Sequence, residues 1–303
     1  MILKMNTIKK ILSASGGIIT SLIIAIGFTA CEKEIEFDIP VSEPKYVIEG
    51  WIENGEVAKV IITRSAPYFD PIDSATLANS LVTDAVVTVS DGISTENLVL
   101  GLNPASFPYI MYMGSTIKGE AGKTYSLNVQ VDGNTFTAQT FLLPPVSFDS
   151  IWFKVEPNED SLGYVWASCQ DEGSTTDWYR VFTKRLGKDP DFVPMLGSTW
   201  EDKYFNGQEF VFSMFRGQAS FLMEPPESEE GEFGFFKIGD SVVTKLAHIE
   251  FAVYDFWSAA ESEIFSGGNP FSSPTKIPSN IQGGALGIWS GYSVTCDTIV
   301  ASY

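Results

Sequence analysis

The sequence predicts a mainly β protein in two consecutive blocks. Three observations predict it. Apolar and polar residues alternate with a period of two in repeated short runs, the mark of half-buried strands. Hydrophobic residues make up 44% of the 303 and charged residues 19%, which is enough apolar material for cores and too little charge for wholesale disorder. A proline pair, Pro144-Pro145, interrupts the alternation near the middle, and proline cannot donate to a strand ladder.

Taken in order, the first strands are expected at Tyr46 to Ile52, Val60 to Arg64, Ala85 to Val89 and Tyr109 to Met113. The cleanest case is Tyr125, Leu127, Val129 and Val131, alternating with Ser126, Asn128, Gln130 and Asp132. Asp132-Gly133 follows, a pair that supplies the positive φ angles of a tight hairpin turn, and Phe136 and Ala138 resume the alternation. Residues 45–145 therefore read as a β-sandwich of immunoglobulin-like or transthyretin-like type. Residues 146–303 read as a larger β-sandwich or partly open barrel, rich in aromatics. Its strands are expected at Ile151 to Val155, Tyr164 to Cys169, Trp178 to Arg185, Phe210 to Phe215, Phe233 to Lys237 and Val242 to Val253. One short helix is expected from Asp255 to Phe265, with Phe256, Ala260 and Ile264 on one face and Gly267-Gly268 as its stop.

Ahead of these blocks, Lys4, Lys9 and Lys10 precede an apolar stretch, residues 11–30, that ends in Phe28-Thr29-Ala30 and is followed by Cys31. A basic start, an apolar middle and small residues before a cut site describe a secretory signal. The cysteine after it resembles a bacterial lipobox, with Phe28 in place of the usual Leu. Residues 1–30 are thus expected to be a lipoprotein signal peptide, Cys31 the acylated first residue of the mature chain, and residues 31–44 a tether. Glu32-Lys33-Glu34-Ile35-Glu36 resembles the export signal that sends Bacteroidetes lipoproteins to the outer face of the outer membrane.

The search for chemistry is largely negative. With 38 acidic residues against 19 basic and a formal charge of -19, a nucleic-acid partner is not expected. His248, the only histidine, reads as a strand-face residue bonded to a neighbour, because no nucleophile elbow accompanies it. Glu250 and Asp255 are the best carboxylate pair for glycoside hydrolysis, with a spacing that carries no specificity. No metal or cofactor is expected: zinc-type ligand spacing and a D-x-[DN]-x-[DN]-G loop are both missing, and nothing singles out Asp171-Glu172 or Asp177 as oxygen ligands. The glycines at 267, 268, 283, 284, 287 and 291 read as turn residues. The run from Glu224 to Glu232 reads as a solvated loop. Outside the cytoplasm, Cys169 and Cys296 form an even pair that points to a disulfide, with two separate thiols as the other reading. Trp51, Trp178 and Trp200 lie near turns or polar runs and are the candidates for exposed ligand-binding aromatics.

Four segments together, CEKEIEFDIP, PKYVIEGWIENGE, ITRSAPYFDP and NPFSSPTKIPSNIQGGALGIWSGYS, resemble a Bacteroidetes outer-membrane lipoprotein family of unknown function (DUF4249 type). That family is often encoded beside TonB-dependent receptors. The resemblance transfers no catalytic residue. It implies a lipid-anchored, surface-exposed accessory protein, without enzymatic activity, that serves a TonB-dependent β-barrel nutrient transporter and binds a glycan or peptide. The alternatives are a glycan-binding adhesin or matrix lipoprotein without a transporter, and a surface hydrolase.

Overall fold

The computed structural model describes residues 43–66, 74–103, 109–218, 231–266 and 275–303. The signal segment, Cys31, residues 31–42 of the tether, glutamates 224–230 and Gly267-Gly268 lie outside the described residues. Glu43 to Tyr303 form one compact unit.

Its frame is an eight-stranded sheet. In spatial order the strands are β12 (Val193–Glu201), β11 (Trp178–Arg185), β15 (Ser241–Ile249), β16 (Leu286–Val300), β1 (Tyr46–Glu53), β2 (Val57–Arg64), β6 (Ile110–Lys118) and β5 (Val99–Leu102). Two four-stranded sheets accompany it. One has the order β4 (Thr95–Asn97), β3 (Val86–Ser90), β7 (Thr124–Val131), β8 (Asn134–Phe141). The other is centred on β10 (Leu162–Gln170), which pairs with β9 (Ser150–Val155), β13 (Glu209–Met214) and β14 (Phe236–Lys237). A short helix α1 (Ser74–Ser80) and a longer α2 (Phe251–Ser266) complete the described elements, with one 3-10 turn at Asp202–Tyr204.

Strand alternation decides which core each residue enters. On β16, Trp289 joins the first core, with Ile48, Ile52, Val60 and Ile62 of the large sheet and Tyr125, Leu127, Val129 and Phe136 of the small one. Ile299, on the same face of β16, packs on the second core, with Val181 and Leu246 of the large sheet and Val165, Ala167, Phe212 and Phe236 of the other small one. Both small sheets therefore cover one face of the large sheet, side by side. The opposite face carries Ile288, Tyr292, Ala247 and Ile249 and is covered in part by α2 through Val253, Phe256 and Trp257. The protein is two β-sandwiches that share one long sheet.

That result changes the meaning of the expected boundary at residue 145. The first core takes in Ile281, Ala285 and Trp289 from beyond it, and the sheet runs through it: β1 pairs in parallel with β16 over Val47↔Leu286 to Glu53↔Tyr292, while β15 pairs with the far half of β16. Gly287 and Gly291 lie inside this strand rather than in turns. At Gly287 φ is +111°, and a Cβ there would stand 2.0 Å from the Ile48 carbonyl oxygen. Only glycine allows the two chains this close approach. Asn54 prolongs the pairing past the end of β1, its Nδ2 donating to the Val294 carbonyl at 3.2 Å while its Oδ1 accepts from the Val294 amide.

Several expected boundaries also move, and the strand expected over Phe233 to Lys237 is reduced to Phe236–Lys237. The strand expected over Val242 to Val253 stops at Ile249, and α2 starts at Phe251, not Asp255. The Glu250 carbonyl accepts the amides of Val253 and Tyr254 at 3.0 and 3.1 Å, opening the helix directly at the strand end. The expected Asp132-Gly133 hairpin is present, with φ of 49° and 75° and Val131 paired to Asn134.

Two predictions follow from this frame. Gly287→Ala is expected to destabilise the fold by about 3 kcal/mol or more, measured by urea unfolding, because both the backbone angle and the Ile48 contact oppose a side chain. The second concerns Glu96 on β4, which ties the first small sheet to β6 by accepting Ser115 Oγ at 2.8 Å, the Thr116 amide at 2.9 Å and the Ile117 amide at 2.8 Å. Burial opposes its charge, but these bonds outweigh that and hold the carboxyl at about 2. Its stabilisation is therefore complete above about pH 4.5 and lost as pH falls through about 2. Glu96→Gln is expected to remove about 1–3 kcal/mol at neutral pH and to flatten this acid limb of the stability profile.

Candidate functional site

Alternation along the large sheet also lines up side chains on the face that α2 covers only in part. From β1 come Glu49, Trp51 and Glu53; from β2, Lys59 and Ile61; from β11, Arg180 and Phe182; from β15, Lys245; and from β16, Tyr292, Val294 and Cys296. They line a cavity of about 540 Å³, closed on one side by Phe192 and by Trp257 of α2. That volume falls in the range of small-ligand pockets.

The cavity is walled by apolar rings and carries buried charges that are held in fixed positions. Arg180 is 4% exposed. Its Nε donates to Ser198 Oγ at 3.1 Å and its Nη1 to the Tyr292 hydroxyl at 2.8 Å, while its guanidinium carbon lies 3.7 Å from the Trp257 ring centroid. The Ser198 amide and hydroxyl in turn donate to Glu261 of α2, so the helix fixes the serine that fixes the arginine. Lys245 Nζ donates to both carboxylate oxygens of Glu53, at 3.0 and 2.8 Å, and stands 3.9 Å from the Phe192 ring centroid. Burial raises the Glu49 carboxyl above its ordinary range, and the nearby Arg180 only partly offsets it. Burial likewise raises the Tyr292 hydroxyl. A buried charge held by an ideal partner is costly to disturb, so these groups form a preorganised polar floor under an aromatic wall.

A second cluster lies on the other face, where β11 and β15 meet the loops of the second sandwich. Asp171, Asp177 and Asp202 are 4%, 6% and 0% exposed, and each offers a carboxylate oxygen within 4.8 Å of the others. Asp171 accepts the Tyr179 hydroxyl at 2.5 Å and the Gly207 amide at 2.9 Å. Asp177 accepts Thr175 Oγ1 at 2.7 Å, and its own amide donates to Asp202 Oδ2 at 2.9 Å. His248 Nδ1 lies 2.7 Å from the Pro144 carbonyl and Nε2 lies 3.0 Å from Asp177 Oδ1. A carbonyl only accepts, so Nδ1 carries a hydrogen. Burial raises the Asp202 carboxyl, and the charges of Asp171 and Asp177 raise it further.

The residues singled out from sequence fare unevenly. Trp51 lines the cavity, but Trp51, Trp178 and Trp200 are all half-buried rather than exposed. Trp178 packs on Phe251 at 5.2 Å between ring centroids, and Trp200 meets Phe212 edge-on at 4.2 Å; tertiary packing covers them where local polarity suggested solvent. Trp257, Arg180 and Lys245, which form the cavity, were not singled out. Glu250 accepts Thr140 Oγ1 and the Phe141 amide at 2.9 and 2.8 Å, and so ties the start of α2 to the end of β8. The disulfide between Cys169 and Cys296 is not formed; both are free thiols. Cys169 is buried in the second core, whereas Cys296 opens into the cavity on the opposite face of the large sheet. Burial pushes the Cys169 thiol up to about 12, with Asp149 adding to it, which leaves it inert as a nucleophile. Cys31 lies outside the described residues. Among the described residues no helix is long and apolar enough to cross a membrane.

No curated protein matches the chain. The family model described as a domain of unknown function, DUF4249, matches residues 32–298, and the chain belongs to that family.

Proposed function

We propose that the protein is a lipoprotein anchored through Cys31 in the outer membrane of a Bacteroidetes cell and facing the exterior, where it serves as a non-catalytic binding subunit of a TonB-dependent nutrient transporter. The observation that supports a binding role is the cavity on the large sheet. Its aromatic walls, Trp51, Phe182, Phe192 and Trp257, offer contact area at low entropic cost. Its acids and bases, Glu49, Glu53 and Asp191 with Lys59, Arg180 and Lys245, suit a ligand that carries both charges. A short peptide is the nutrient class that fits this lining. The anchoring part rests on the lipobox resemblance around Cys31, and two acyl chains or more give stable attachment.

A specific observation favours one second reading, a glycan-binding adhesin. On the outer face of the second small sheet, Trp152 and Trp166 stack at 6.3 Å with 17° between their planes, and Lys154 Nζ lies 5.8 Å from the Trp166 ring centroid. Paired indoles on an open sheet face suit sugar rings.

Three outcomes are expected. Cys31→Ala leaves the chain folded but moves it from the membrane to the soluble fraction, and mass spectrometry of the wild type finds acyl chains on the cysteine. The wild-type chain, drawn from native membranes in mild detergent, brings down a large β-barrel; recovery only as a free monomer overturns the transporter role. A mixture of short peptides changes the tryptophan fluorescence, through Trp51 and Trp257, and Phe192→Ala weakens that binding by about tenfold. If instead polysaccharide is bound, and Trp152→Ala with Trp166→Ala abolishes it, the adhesin reading replaces the transporter one.

A further inference from the structure

We propose that Asp171, Asp177 and Asp202 form a binding site for a hard divalent cation of calcium size, which fastens the loop between β10 and β11 to the turn after β12. The inference is independent of the peptide cavity, which lies on the other face of the large sheet. It starts from the donor set. Three carboxylates from two separate loops place an oxygen each within 4.8 Å of one another. Oxygens bound to one calcium at about 2.3–2.6 Å stand at most about 5 Å apart, a limit this set meets, and calcium accepts the irregular all-protein geometry that magnesium, with its demand for a near-ideal octahedron and retained waters, does not.

The second observation is a particular atom. Asp202 is fully buried, its Oδ2 takes the Asp177 amide, and its Oδ1 has no hydrogen-bond partner. A buried carboxylate oxygen without a donor loses its hydration without replacement. A cation held jointly with Asp171 and Asp177 supplies what the atom lacks. The oxygens already bonded to Tyr179, Gly207 and Thr175 each keep a further lone pair for a metal. Hydrogen bonds from fixed donors orient the carboxylates in the manner of outer-shell partners at metal sites.

Charge points the same way. Among the described residues, the one basic side chain bonded to any of the three carboxylates is His248, on Asp177. Three buried acids against one imidazole leave an excess of negative charge that a low-dielectric site does not tolerate unless a proton or a metal ion enters. The oxygen-only donor set selects a hard cation over zinc or copper. At the exterior location proposed above, on which this step alone rests, calcium is abundant enough for sites of micromolar to millimolar affinity to be filled.

The test uses the full chain purified in detergent, stripped with a chelator and passed over a desalting column. Titration with calcium chloride, followed by calorimetry and by elemental analysis of the desalted protein, is expected to give one ion per chain. The midpoint of thermal unfolding is expected to rise by about 5 °C, with a smaller rise for magnesium. Asp202→Asn is expected to lower calcium affinity by at least about tenfold. In the metal-free state the same variant is expected to unfold at a higher temperature than wild type, because the amide keeps the Asp177 bond and adds a donor where Oδ1 had none. A wild-type chain that neither retains calcium nor shifts its unfolding, an equal response to magnesium, or an Asp202→Asn variant that binds as wild type does would each overturn the proposal.

Discussion

The structure depends on β16 having partners on both sides and both faces. Its first half adds a parallel strand to β1, and its second half an antiparallel strand to β15. A parallel pair needs a long connection, and here the connection is most of the polypeptide, so the first and last described strands of the large sheet close around everything between them. Trp289 makes the join specific. Its indole donates to the Tyr125 carbonyl at 2.9 Å, its amide and carbonyl are both bonded by the Asn280 side chain, and Gly50 leaves the space its ring occupies. A residue from the end of the chain thus becomes the centre of the N-terminal core, and the first sandwich is incomplete without it.

Because both small sheets sit on one face, the other face of the large sheet is left, among the described residues, to a single helix. A sixteen-residue helix cannot cover eight strands. The uncovered part must carry polar residues or stay apolar and bind something, and this chain does both: aromatic walls with acids and bases set among them. The charges are paired within the protein, Arg180 to Ser198 and Tyr292, Lys245 to Glu53. Pairing of this kind fixes geometry more than it adds stability, which suits recognition better than folding. Glu49 differs from the others, because burial rather than a close partner governs its carboxyl.

Much of the fold was legible because half-buried strands advertise themselves. Tyr125 to Val131 alternate without exception, and Asp132-Gly133 has the backbone freedom that a two-residue turn demands. What was not legible is long-range. The glycines of Leu286 to Val300 read as turn residues because Gly287 is needed for contact with β1 and Gly291 for contact with Thr140 to Leu142, partners far away in sequence. Val193 to Glu201 carries Pro194 and Gly197 and bends at a register shift opposite Arg180 and Phe182, so its alternation is broken locally. The cavity was hidden for a related reason: Glu49, Trp51 and Glu53 alternate with core residues and read as an ordinary solvent face until β11 joins the same sheet and α2 packs over its face. The three aspartates have no common spacing, since Asp171 and Asp177 flank one loop and Asp202 belongs to another.

The two sites, though on opposite faces, share a strand. Successive residues of β11 point to opposite sides: Tyr179 reaches Asp171 in the carboxylate cluster, and Arg180 reaches Tyr292 and Trp257 in the cavity. On β15 the same holds for His248, bonded to Asp177, and Lys245, bonded to Glu53. These two strands pair residue for residue, Tyr179 with His248 and Phe182 with Lys245, so neither can slide or tilt without carrying both sites along. Side chains cannot be held to within a fraction of an ångström unless the backbone beneath them is held first. The aspartate cluster grips that backbone, through Tyr179 and His248, from the side away from the cavity that Arg180 and Lys245 line.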